Sequence, residues 1–190
     1  MKKRTAAIAF AFSLMPLGQP LLIRTAALTS VSSILAAPKR AMAEDAVFYY
    51  NRGFKKDESG DYSGAIADFN KAIEINPSHA TLYYNRGVSK SYSRDDYGAI
   101  ADFTKAIEIN PNSSPAHTNR GAAKYKLNDF YGAVSDYSKA LEIDPRDQRA
   151  FTNRGSAKRL IGDKKGACSD WKKASSLGNK NAAKFFREDC

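Results

Sequence analysis

The sequence predicts an all-α fold built from stacked helical hairpins, and three observations carry that prediction. The pentapeptide "YYNRG" at 49–53 returns at 83–87, and "HTNRG" at 117–121 and "FTNRG" at 151–155 continue the same step of 34 residues. A fixed period of this length marks an array of units that bury their apolar faces on one another. Within each unit small and aromatic residues fall at i, i+4 and i+7, the spacing of one face of a helix. Prolines Pro77, Pro111 and Pro145 follow "EIN", "EIN" and "EID", where a helix must stop because proline disfavours helical geometry in its predecessor.

The elements follow in chain order. Residues 1–43 hold six bases and no acid. They run from "MKKR" through "TAAIAFAFSLMPL" and "SSILAAP" to "AMA", the order of an export signal with a cut expected after Ala43. An uncleaved membrane anchor and an organelle transit peptide are the alternatives; each apolar run falls short of the roughly 20 residues a spanning helix needs. The chain's net charge of +10 belongs largely to this head, since the remainder has 24 bases against 20 acids. The overall basicity therefore does not by itself point to nucleic acid.

The rest divides into units 46–79, 80–113, 114–147 and 148–181, with a tail at 182–190. The eighth place is glycine (Gly53, Gly87, Gly121, Gly155) and the twentieth alanine (Ala65, Ala99, Ala133, Ala167), small enough for two helices to approach closely. The twenty-fourth is aromatic (Phe69, Phe103, Tyr137, Trp171) and the twenty-seventh alanine again (Ala72, Ala106, Ala140, Ala174). Asp61, Asp95, Asp129 and Asp163 sit where they cap the second helix. Gly60, Arg94, Asn128 and Gly162 precede them, at a place suited to left-handed backbone. Arg94 breaks the pattern, so that turn is either strained or differently shaped. The fourth unit ends in "SSLGNKNAAKFFREDC", without the Asn-Pro boundary. A terminal helix with Ala182, Phe185 and Phe186 inward would cover the last apolar face, giving nine helices in all.

With these residues in place, the chain resembles the tetratricopeptide-repeat proteins over essentially all of residues 46–181. The resemblance implies a right-handed superhelix whose first helices line a concave groove that accepts an extended or helical peptide segment. Asn51, Asn85, Asn119 and Asn153 stand in sixth place of the first helix, and their amides could hold a peptide backbone irrespective of its sequence. The other reading is that each Asn only bonds to the next helix. Tyr50 and Tyr84 in fifth place, Arg149 in second and Arg159 in twelfth lie on the same face and would set specificity. Some family members clamp a C-terminal carboxylate with Lys in fifth place and Asn in ninth; here Tyr50 and Phe54 stand there, so that clamp does not transfer. The ending also resembles Sel1-like repeats. Exported proteins of this kind look like those of photosynthetic bacteria, which suggests periplasm or thylakoid lumen.

Cys168 and Cys190 each lie 11 residues from Asn179, about which a turn between the last paired helix and the cap would centre. A helical hairpin would bring them together, and in an oxidising compartment a disulfide is plausible; the alternative is a buried Cys168 and a frayed Cys190. Arg52, Arg86, Arg120 and Arg154 stand 16 residues before Asp68, Asp102, Asp136 and Asp170, an ion pair within each unit or with the adjoining one. Lys56, Lys90, Lys124 and Lys158 are expected to lay their stems along apolar neighbours.

Function reads as a non-enzymatic interaction module for another protein, a scaffold or assembly factor. Catalytic residues, metal ligands and cofactors are not expected: His79 lies in a loop, His117 in a packing position, and "GDKKGA" is the ordinary turn that reads "GDYSGA" in the first unit. A small-molecule substrate is not indicated, and nucleic acid is disfavoured because aromatics do not interleave with the bases. By unit the net charges are −1, 0, 0 and +7. The alternative function is therefore docking of the basic last unit on an anionic surface: acidic partner, membrane or nucleic acid.

Overall fold

The computed structural model describes residues 45–190, so the expected export segment lies outside the described residues. Helix α1 covers 45–58, followed by α2 (Tyr62–Ile75), α3 (Ala80–Tyr92), α4 (Asp96–Ile109), α5 (Ser114–Lys126), α6 (Phe130–Ile143), α7 (Gln148–Leu160), α8 (Lys164–Ser176) and α9 (Lys180–Asp189). Among the described residues there are nine helices and no strand, the predicted all-α array. From α2 onward each helix packs on the next in sequence, Gly53 of α1 lies against Phe69 of α2, and α3 touches α5 as α5 touches α7, so the first helices of the last three units line up side by side. Among the described residues no helix is long and apolar enough to cross a membrane.

Local chemistry sets the helix bounds. The carboxylates of Asp61, Asp95, Asp129 and Asp163 accept from the amides of Gly64, Gly98, Gly132 and Gly166 and so satisfy donors that the first helical turn leaves free. At the other end, Asn76, Asn110 and Asp144 turn to extended ψ ahead of the prolines. The hairpin turns all reverse through left-handed backbone, Gly60 at φ 83° and Arg94 at φ 68° alike. Arg94 thus keeps the shape of its neighbours and bears the strain of a side chain in that region.

Packing follows the repeat. Ala65, Ala99, Ala133 and Ala167 are fully buried, as are Phe69, Phe103 and Tyr137, with Trp171 nearly so. Each aromatic ring lies flush on the glycine of its own hairpin. A Cβ at Gly87 would stand 2.8 Å from the Phe103 ring, and one at Gly155 would stand 2.6 Å from Trp171 Nε1. Glycine in "NRG" is therefore the seat of the ring.

The last helix closes the array. Asn179 caps it by accepting from Ala182 N at 2.9 Å. Ala182 is buried, and Phe185 and Phe186 pack against the Trp171 cluster. Cys168 and Cys190 are bridged, their Cα atoms 5.8 Å apart.

Candidate functional site

The "NRG" arginine builds the scaffold beneath the site. Arg86 Nε and Nη2 donate to the two oxygens of Asp102 at 2.8 and 2.6 Å. The same fork recurs at Arg52–Asp68, Arg120–Asp136 and Arg154–Asp170. The pairs thus form inside each unit. The guanidinium also reaches across units: Arg86 donates to Asn70, Arg120 to Thr104 and Arg154 to Ser138. Lys56, Lys90, Lys124 and Lys158 add their ammonium groups to the same aspartates at 2.8–3.0 Å, a partner the sequence reading did not give them. A buried carboxylate has four lone-pair sites, and a single Arg leaves some of them unfilled. The hydrogen bond from Arg52 holds Asp68 down to about 2, against the opposing pull of desolvation. Burial would raise Asp136, but bonds from Arg120 and Lys124 outweigh it and leave it low.

The asparagines line the face of the first helices and also tie units together. Asn85 Nδ2 donates to the Tyr50 hydroxyl at 3.3 Å, and Asn119 Nδ2 to the Tyr84 hydroxyl at 2.9 Å. Each of these amides keeps further hydrogen-bonding capacity: among the described residues Asn119 Oδ1 is met only by Arg149 Nη2, at 3.4 Å. Burial raises the Tyr84 hydroxyl and the Tyr137 hydroxyl above the usual phenol value. The amide of Asn153 opposes the Tyr137 shift.

Several cavities open on this face among the described residues. One of about 300 Å³ is shared by α3, α5 and α7 and includes Tyr84, Asn119, Lys126 and Arg149. A second of about 410 Å³ includes Tyr125, Asn153, Asn181 and Phe185. A third, about 530 Å³, lies at the first unit with Val47, Tyr50 and Asn51. The structure thus brings Tyr84, Asn119 and Arg149 together and sets Tyr50 and Asn51 apart from them. Arg159 lines a further cavity with Trp171, but its guanidinium is bonded to Asp189 of α9 at 2.9 Å. Arg149 forms no ion pair among the described residues, which makes it the open cation of the face.

Sequence reasoning did not place Tyr92, Lys126, Asn181 or Phe185 at these cavities, although it turned Phe185 inward from the cap. The first pair lies one place beyond the last groove position considered. The second pair belongs to the cap, which has no counterpart in the repeat. His117 is buried as a packing residue, with Nε2 3.2 Å from the Pro111 carbonyl. Among the described residues no cluster of His, Cys, Asp and Glu is arranged to hold a metal.

Comparison with known proteins agrees with this geometry. Models described as "TPR repeat" and "Tetratricopeptide repeat" match residues 58–90, 80–113 and 114–147. No curated protein matches the chain. Among solved structures, MamA is 20% identical with a TM-score of 0.69, covering 86% of this chain and 99% of that one. The first TPR domain of Spaghetti (RPAP3), bound to the HSP90 peptide SRMEEVD, is 24% identical with a TM-score of 0.62, covering 63% and 94%. The TPR domain of Arabidopsis OM64 matches at 24% identity and a TM-score of 0.62, covering 63% and 99%. The three matched repeats, the paired helices and the ring-on-glycine packing agree: this chain is a tetratricopeptide-repeat protein.

Proposed function

We propose that the chain is a non-enzymatic interaction module that receives an extended or helical segment of another protein along the face of its first helices. The observation that carries this reading is the cavity shared by three units, in which Arg149 stands without an acid partner among the described residues, beside Asn119 and Tyr84. An amide with spare capacity suits a peptide backbone, and a free guanidinium suits a carboxylate. The structural neighbour that holds an HSP90 peptide supports such a use of the fold. The export-type N-terminal sequence supports a setting in the periplasm or thylakoid lumen, with a role as an assembly or scaffold factor. The test is affinity capture from the native source with the wild-type chain and an Asn119→Ala/Arg149→Glu variant. Loss of the captured protein with the variant is expected, and equal capture would sink the reading.

One observation favours a second reading. In units two and three Lys105 and Lys139 are paired with Glu108 and Glu142 three residues on. In the fourth unit Ser176 replaces that acid, and Lys164, Lys165, Lys172 and Lys173 are exposed with no acid partner among the described residues. This face would dock the last unit on an anionic surface. Binding to phosphatidylglycerol vesicles that salt abolishes and the fourfold Lys→Gln variant lacks would support it; equal binding to phosphatidylcholine would exclude it.

A further inference from the structure

The first unit presents a face that the other three bury. In third place Leu82, Ala116 and Ala150 are 4%, 0% and 0% exposed, whereas Phe48 is 56% exposed, and Val47 beside it 57%. Each buried residue packs on an Ala and its aliphatic neighbour in the preceding second helix, as Leu82 does on Ala72 and Ile73 and Ala150 on Ala140 and Leu141. The arginines show the same break. Arg86, Arg120 and Arg154 are 17–18% exposed and donate Nη1 to Asn70, Thr104 and Ser138. Arg52 is 42% exposed, and its Nη1 has no acceptor among the described residues.

What covers this face in the other units has a recognisable form: a helix carrying "NKAI", "TKAI" or "SKAL", that is, an acceptor, then Ala and an aliphatic residue two and three places on. The fourth unit reads "KKAS" at the same places and lies under α9. A second copy stacked head to tail would therefore set Lys172 against Arg52 and offer Ser175 to Phe48, a like-charge repulsion and a lost apolar contact. The occupant the face fits is a helix from a different protein.

We propose that the open face of α1, with Phe48 and Arg52, docks an α-helix of a partner protein that presents Asn, Ser or Thr followed two and three residues later by Ala and Ile or Leu. The helix supplies the acceptor for Arg52 Nη1 and the apolar cover for Phe48, extending the array by one layer. Nearest-neighbour stacking is the interaction on which such arrays are built.

The probe is a helix-stabilised, fluorescent peptide with the sequence of residues 95–113, which contains Thr104, Ala106 and Ile107. It is titrated into the full-length chain, produced with its own N-terminal segment. Saturable binding is expected. It should weaken by about tenfold or more, the equivalent of about 1.4 kcal/mol, with Phe48→Glu in the protein or Thr104→Lys in the peptide. The Arg149→Glu protein should bind the probe normally, which separates this face from the groove; retained helicity by circular dichroism shows that the Phe48→Glu protein is folded. No saturable binding, or binding indifferent to Phe48→Glu, overturns the proposal. So does sedimentation showing a dimer that Phe48→Glu dissolves, because a second copy then holds the face.

Discussion

The second and fourth units share a hairpin and differ in what stands beyond them. Beyond the second comes another repeat, and its outer helix offers Thr104 to Arg120 and Ala106 and Ile107 to the helix that follows. Beyond the fourth comes only α9, and its outer helix carries Lys172, Ala174 and Ser175 at those places. There the repeat's own adhesive is absent, and Phe185 against Trp171, Arg159 with Asp189 and the Cys168–Cys190 bridge take its role. An internal unit is held by periodic side chains; the terminal unit is held by chemistry that occurs once. The first unit lacks even that on the described side, so Phe48 and Arg52 stay exposed.

The largest expected effect tests how far an internal clamp exceeds a terminal one. Asp102→Ala removes a buried carboxylate from Arg86 and Lys90 and should cost about 3–5 kcal/mol in urea unfolding. Asp68→Ala should cost less, about 1–2 kcal/mol, since Arg52 can return to water. Equal losses would mean that burial of the arginine does not decide the matter. Next in size is the bridge. Cys190→Ser, or reduction, opens a loop with a sequence separation of 22 and should cost about 3 kcal/mol. Trp171 is the chain's one tryptophan and reports this directly by fluorescence, whereas Cys190→Ser should leave the second unit's hydrogen exchange unchanged.

Smaller effects follow. Asn119→Ala should lower stability by about 1 kcal/mol, as should Tyr84→Phe, with the double variant little worse, because both lose the same Asn119–Tyr84 hydrogen bond. Arg94→Gly should raise stability by about 0.5–1 kcal/mol by relieving left-handed backbone that Gly60 and Gly162 adopt freely. The pH response has a definite sign. Asp68 is depressed in the folded chain to about 2, so its contribution is present above the ordinary carboxylate range and is lost as pH falls through about 2. Urea midpoints between neutral pH and pH 2 should fall more steeply for wild type than for Asp68→Asn.

Much of the fold was legible because its causes are local. Proline after "EIN", aspartate before each second helix and alanine at helical spacing act within one hairpin, and each is where the sequence places it. The groove was legible only in part. Tyr84, Asn119 and Arg149 share a cavity as their positions suggested, but Arg159 turned to Asp189, and the ammonium groups of the lysines found the buried aspartates. Spacing indicates which face a side chain leaves from, not which of two nearby partners it reaches. Phe185 entered the groove from an element without a repeat to compare it with.

By itself the sequence determined the period, the helices and their caps, since all of these are settled within about 34 residues of chain. Only the tertiary structure decided that Arg86 reaches back to Asn70, that Asn119 ties to Tyr84, and that Phe48 stays exposed where its counterparts in the other units are buried. Those contacts depend on the offset between one hairpin and the next, a geometry that arises when whole units stack and that no single unit contains.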